Sequence, residues 1–191
     1  MKARFTMYCG GGSKLHTHRN ITFNRNFENI TLISKPSKQS CVNIIDGQKI
    51  EISPRERSLV HMVAPYSKID NILVNSESQI PPTNIFGTEP EHTWCYFYQK
   101  ASLARQIGDW EEVLRLEQNA RAKNLGPYDY HEWMPFFEAH VNLGNEKEAR
   151  NLAKIIKTDY GARNQICKSL DTYLNNSPDY DYDLILEILC Q

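Results

Sequence analysis

The chain has 191 residues, 40% of them hydrophobic, and a formal charge of −1. That length permits one sizeable domain or two small ones. Lys and Arg are scattered among Asp and Glu with no basic stripe, which gives no electrostatic reason to expect nucleic acid or an anionic membrane as partner, and no apolar run approaches the roughly 20 residues that cross a bilayer.

The amino terminus, MKARFTMYCGGGSKLHTH, begins basic but lacks the apolar stretch of a signal peptide. The expected location is therefore the cytoplasm. The five cysteines, Cys9, Cys41, Cys95, Cys167 and Cys190, are odd in number, widely spread and form no C-x-x-C pair. That pattern points to reduced thiols, with Cys95 a small buried hydrophobe among core-type residues.

Residues 1–87 read as mixed strand, turn and short helix. ENITLIS (Glu28–Ser34) alternates and is β-branched, which predicts a strand. In CVNIIDGQKIEI (Cys41–Ile52), Asp46-Gly47 lies between two β-prone runs and predicts a hairpin; a single strand ending in a loop is the alternative. Ser53, Pro54 and Glu56 have the layout of a capped helix start, and Ala64-Pro65 would end that helix. DNILV offers one more short strand. Asn75 to Pro90, with its prolines, Gly87 and serines, reads as a linker.

From residue 88 the grammar is helical. Thr88 is a candidate cap for a first helix. Trp94, Phe97, Tyr98, Ala101 and Ala104 fall on one of its faces, and Tyr96, Leu103 and Ile107 on another. Gly108 stops it. Asp109 caps a second helix with Trp110, Val113, Leu114, Glu117 and Ala120 inward, and Gly126-Pro127 stops that one. The layout then returns. Gly-Asp-x-x-Glu-Val-x-x-Leu from Gly108 recurs as Gly-Asn-x-x-Glu-Ala-x-x-Leu from Gly144, 36 positions later. Phe97 aligns with Trp133, Ala101 with Phe137 and Ala104 with His140. A helix-turn-helix period near 34–36 residues predicts divergent tetratricopeptide-like repeats. Pro135 predicts a kink or a late start to the third helix. Two further helices, around Ile166 and around Leu186, would close the array. The fold class expected is α+β: a small mixed β-containing part at 1–87, then an all-α tetratricopeptide-like helical-hairpin array of about six helices at 88–191.

Signals of chemistry are weak. CGGGSK (Cys9–Lys14) invites a phosphate-loop reading, but it matches no phosphate-binding spacing and a turn is favoured. His16 and His18 place two imidazoles on one side of a strand, with no third metal ligand in view. No histidine has a serine or cysteine partner at a recognisable spacing. The carboxylates Glu111, Glu112, Glu117, Asp129, Glu132 and Glu138 are mostly accounted for by caps and exposed helix faces. The sequence thus assigns no catalytic residue, cofactor or metal. Its candidate site is a partner-binding groove using Tyr96, Tyr98, Trp133 and His140, around which Pro135 would shape the surface.

The run FGTEPEHTWCYFYQKASLARQIGDWEEV (Phe86–Val113), followed by EWMPFFEAHVNLGNEKEA, resembles the soluble carboxy-terminal region of bacterial multi-pass membrane proteins related to dolichyl-phosphate-mannose–protein mannosyltransferases. The shared pieces are a proline-rich approach, H-T-W-C-Y, G-D-W-E and E-W-x-P-F in that order, with CVNIIDG as the preceding strand. The resemblance covers about residues 27–153. It implies a small mixed α/β piece with tetratricopeptide-like helices, set in cell-envelope glycan assembly. It brings no catalytic residues, since the acidic groups of such transferases lie in a membrane portion absent from this chain. The expectation is a non-enzymatic interaction module for a protein partner, such as a membrane-bound glycosyltransferase. It would be cytoplasmic, or at the cell envelope as a detached tail. The alternative is binding of a nucleotide, a nucleotide-sugar or a metal through the Gly-rich and His segment.

Overall fold

The computed structural model describes residues 12–26, 30–48, 51–70, 72–73, 80–173 and 182–191. Four short strands come first: β1 (Ser13–His18), β2 (Ile21–Asn26), β3 (Leu32–Ser34) and β4 (Asn43–Ile45). They form two separate antiparallel pairs, β1 with β2 and β3 with β4. Helix α1 (Ser58–Val63) runs into a 3-10 turn at Ala64–Tyr66, and α2 (Thr83–Phe86) is a single turn. The helical part follows: α3 (Trp94–Gln106), α4 (Trp110–Ala122), a 3-10 turn at Tyr130–Trp133, α5 (Met134–Asn142), α6 (Glu146–Ile156), α7 (Tyr160–Tyr173), α8 (Tyr182–Ile185) and a π turn at Leu186–Cys190. The fold class is α+β, with the two small sheets ahead of the helices.

Several amino-side expectations are corrected. Among the described residues Asp46-Gly47 turns no hairpin; the alternative, a single strand ending in a loop, is what is seen, for β4 ends at Ile45 and pairs with β3, with Ile33 opposite Ile44. Gly47 does not take the positive φ that a two-residue hairpin turn needs. Its N–H donates instead to Ser67 O at 3.0 Å, and Asp46 Oδ1 accepts from Gln48 N at 2.8 Å. Side-chain capture of the backbone thus replaces the hairpin. Ser53 does not cap a helix, because it is drawn into a buried contact with Asp129, and α1 begins only at Ser58. Ile72 and Leu73, in the segment DNILV, lie in no strand.

Helix α3 starts at Trp94, later than a cap at Thr88 requires; Thr93 is the extended residue that precedes it, and Pro90 stays outside. It ends as expected. Gly108 takes φ +71°, its N–H bonds Arg105 O at 3.1 Å, and Asp109 N bonds Ala104 O at 3.0 Å. Gly144 does the same after α5, with φ +71°, a 3.1 Å bond to Val141 O, and Asn145 N on His140 O at 2.8 Å. Both are Schellman ends, which satisfy otherwise orphaned carbonyls and favour glycine. Asp109 caps α4 by accepting from Glu112 N at 3.1 Å. Helix α4 closes at Asn124 (φ +56°) before Gly126-Pro127, with the same pair of bonds, Asn124 N to Arg121 O at 2.9 Å and Leu125 N to Ala120 O at 3.0 Å. Pro135 is accommodated by a late start, in the first turn of α5, where its missing N–H costs nothing.

Consecutive helices α3 to α6 pack on one another. One core holds Trp94, Phe97, Tyr98, Phe136, Phe137, Leu152 and Ile156, with Ile185 and Leu189 of the closing segment. A satellite core holds Ile45, Ile52 and Ala64. Helix α5 is buried on every side, from Met134 to Val141, as befits an element with helices on both flanks.

The cysteines overturn the reduced-thiol expectation. Cys41 is bonded to Cys95, and Cys167 to Cys190. The first bond ties the amino-side segment to α3 across the expected boundary at 87/88. Among the described residues, no helix is long and apolar enough to cross a membrane.

Candidate functional site: a cleft beside a buried polar seam

Three carboxylates expected on exposed faces or at caps, Asp129, Glu132 and Glu138, are buried, as is Glu117 on the inward face of α4. Each is buried because it holds something specific. Asp129 accepts from the hydroxyls of Ser40 and Ser53 and from the Arg55 guanidinium. Burial works to raise its carboxyl, but the bonds from Ser40 and Arg55 win and hold it below the usual carboxylate range. Glu138 and Glu51 clamp Arg105 from two sides, each bidentate, with contacts of 2.6 to 2.8 Å. Glu132 accepts from Cys41 N at 2.8 Å and Trp94 Nε1 at 2.7 Å. Among the described residues no cation pairs with it, and burial pushes its pKa up to about 7. Cys41 Sγ lies 3.4 Å from Glu132 Oε2, a contact that a disulfide sulfur, lacking a proton, cannot make as a donor.

This seam joins the segment 40–55 to the segment 129–138. Its residue types, Ser40, Ser53, Asp129 and His131, look like the parts of a hydrolase. The geometry says otherwise. The hydroxyls donate to the carboxylate rather than to an imidazole, and all four residues are buried, so no substrate reaches them. Burial lowers the pKa of His131 against the pull of Asp129, and its Nδ1 has no partner among the described residues.

Accessible chemistry lies one helix away. A cleft of about 330 Å³ opens between α4, α5 and α6, lined by Leu114, Glu117, Arg121, His140, Asn151 and Ile155 among others. Glu117 sits at its base. It meets His140 Nε2 at 2.9 Å and accepts from Arg121 Nε at 2.8 Å. Burial raises the Glu117 carboxyl, but the bonds from His140 and Arg121 prevail and keep it below its ordinary value. Arg121 also lies over the Trp133 ring, 5.0 Å from its centroid. Buried His140 Nδ1 has no partner among the described residues. The walls mix Leu114, Leu152 and Ile155 with the polar Gln118, Glu148 and Asn151, over a floor of Glu117, His140 and Arg121.

A second cleft, of about 230 Å³, lies where β4 meets α3, lined by Asn43, Asp46, Glu51, Tyr98, Ser102 and Arg105 among others. Of its charges, Arg105 and Glu51 are joined in the clamp, and Asp46 accepts from Gln48 N. Burial raises the pKa of Tyr98 well above its usual value.

The four groove residues expected from sequence are not brought together on one surface. Tyr98 and Trp133 are buried, the latter edge-on to Trp94 at 4.9 Å. Tyr96 is half-buried and stacks on His92 at 3.5 Å. His140 does line the α4–α6 cleft, and Trp133 touches it through Arg121. Glu117 and Arg121 were missed as site residues; the available signal was an acid on the inward face of α4 with an Arg four positions on.

Gly10 and Gly11 of the Gly-rich loop lie outside the described residues. His16 and His18 stand on the exposed strand β1, where His16 stacks on Phe23 at 5.3 Å. Among the described residues, no group of three or more His, Cys, Asp or Glu is placed to hold a metal ion. Compared with family models, with curated proteins and with solved structures, the chain matches none.

Proposed function

We propose that this chain is a non-catalytic interaction module: a divergent tetratricopeptide-like array that binds a protein partner in the cleft between α4, α5 and α6. The observation that carries the reading is the paired Schellman ends at Gly108 and Gly144, 36 positions apart, with the same backbone bonds on each. A repeated turn with stacked consecutive helices is the architecture by which repeat proteins present recognition surfaces. The partner proposed is a membrane-bound glycosyltransferase, on the strength of the H-T-W-C-Y and E-W-x-P-F resemblance, with this chain as its soluble tail or accessory. Two disulfides favour an oxidising compartment and hence the outer side of a cell envelope over the cytoplasm.

The test is capture of partners from native cells in mild detergent, comparing wild type with Gln118→Lys/Asn151→Lys. Both side chains are exposed on the cleft rim, so stability is expected to stay unchanged while a multi-pass envelope protein is lost from the captured set. Undiminished capture by the double variant would remove the cleft from consideration.

A further inference from the structure

The disulfide between Cys41 and Cys95 has unlike surroundings at its two ends. Cys41 is 2% exposed and stands against the fully buried Glu132. Cys95 is half-buried, in the first turn of α3, where the unpaired N–H groups of a helix stabilise a thiolate. Cys41 Sγ meets Glu132 Oε2 at 3.4 Å, and Oε1 of the same carboxyl accepts from Cys41 N at 2.8 Å. Trp94, the residue before Cys95, donates its Nε1–H to Oε2 at 2.7 Å. One carboxyl is thus bonded to the backbone of one half-cystine and to the sequence neighbour of the other. In the oxidised chain its approach to the sulfur lacks a donor on the sulfur side. Breaking the S–S bond completes the contact, because a thiolate accepts a proton and a carboxyl delivers one.

We infer that the Cys41–Cys95 bond is a thiol–disulfide exchange site for an external dithiol, with Glu132 as its proton donor and acceptor. A thiolate of the dithiol attacks Cys95 Sγ, on the less buried side of the bond. The S–S bond breaks and its electron pair leaves on Cys41 Sγ, which takes the Glu132 proton and becomes a thiol. The second sulfur of the dithiol, as thiolate, then attacks its own partner sulfur in the mixed disulfide and releases Cys95 as thiolate. Solvent takes the two protons of the dithiol and restores those of Cys95 and Glu132. One protein disulfide is reduced by two electrons and one dithiol is oxidised. In the reverse direction the Glu132 carboxylate takes the Cys41 proton, which frees Cys41 to attack. Burial raises the Glu132 pKa to about 7 and Asp129 adds to the rise, while the bonds from Cys41 N and Trp94 Nε1 pull it back. A carboxyl so poised serves in both directions near neutral pH. Tyr98, also nearby, is raised well out of that range by burial. Neither cysteine nor Glu132 lines the α4–α6 cleft, so the site stands or falls apart from the partner-binding reading.

The experiment is reduction of the full oxidised chain by dithiothreitol under native conditions, with samples alkylated at intervals and each cysteine pair scored by mass. Rates for the Cys41–Cys95 bond are divided by those for oxidised glutathione reduced in parallel, which corrects for the thiolate fraction of the reagent. The corrected rate is expected to fall as pH rises through about 7, where Glu132 loses its proton. Glu132→Gln keeps the volume but has no acidic proton to give. It should slow the corrected rate about 100-fold at a pH of about 6 and leave it nearly unchanged at about 8.5. A corrected rate that is flat with pH in the wild type overturns the inference, even where the variant fails to fold. So does an equal rate in wild type and folded variant at the lower pH. A rate that climbs with sub-denaturing urea in step with the unfolded population also overturns it, since the bond would then be reached only in unfolded chains.

Discussion

Replacing Cys41 and Cys95 together by alanine tests how the amino-side segment is held to the helices. The bond closes a loop of 54 residues in sequence. Loop-closure entropy for that length gives a loss of about 4 kcal/mol, chiefly through a freer unfolded chain. The Cys167–Cys190 bond closes 23 residues, for which the same relation gives about 3 kcal/mol. The order is thus fixed before the measurement: the Cys41 pair must cost more. The assay is equilibrium unfolding in guanidinium chloride of the wild type and both double variants, with thermal melts alongside. For a chain of this size a loss of about 4 kcal/mol lowers the midpoint by about 8–16 °C. Alkylation and mass analysis of the unfolded, unreduced wild type should leave Cys41, Cys95, Cys167 and Cys190 unmodified. A loss below about 1 kcal/mol for the Cys41 pair, or the reverse order of the two pairs, would refute the loop-entropy reasoning.

Glu132 gives a pH signature. Its folded pKa, about 7, lies above the ordinary carboxyl value, so the folded state holds a proton that the unfolded chain releases. Its contribution is full below the unfolded pKa and is lost as pH rises towards 7, by about 3 kcal/mol in all. His131, with its lowered pKa, works the other way, since stability falls as pH drops below the ordinary imidazole range. Glu132→Gln isolates the carboxyl: the stability of wild type relative to the variant should decline by that amount between mildly acidic and mildly alkaline pH, and parallel curves would mean Glu132 is ionised throughout. Gly47→Ala is expected to destabilise by about 1–3 kcal/mol in urea unfolding, from steric overlap in a packed site. An added Cβ would stand 2.3 Å from Ser67 O and 2.9 Å from Pro65 O, both backbone atoms that cannot swing aside. An unchanged midpoint would show that the loop relaxes freely.

What the sequence made legible was local. Gly108 and Gly144 announced their helix ends because a left-handed residue after an amphipathic run is a short-range signal. Trp94, Phe97, Tyr98, Ala101 and Ala104 announced one face by spacing alone, and all five are buried. What stayed hidden was long-range. Arg55 and Asp129 are 74 positions apart, and Arg105 and Glu51 are 54 apart. Nothing in the neighbourhood of Glu132 or Glu138 distinguishes a buried, partnered acid from a solvated one, except that each sits among aromatic and aliphatic residues. The cysteines misled for the same reason: pairing depends on proximity in space, and an odd, scattered set gives no spacing to read. His16 and His18 were placed on a strand, but its pairing with Ile21–Asn26 went unread because a polar alternation gives no buried face to set a register.

The two disulfides also govern how the chain answers a pull. Under tension along the backbone, a covalently closed loop cannot pay out. The loops closed by Cys41–Cys95 and Cys167–Cys190 span 54 and 23 residues. At about 3.5 Å per extended residue they withhold roughly 190 Å and 80 Å of contour from any stretching event. Oxidised, the chain behaves as a short tether that keeps α3 and the segment before it within reach of each other. Reduced, the same loops can extend once they unfold, so the length the chain yields under load depends on the redox state of its surroundings.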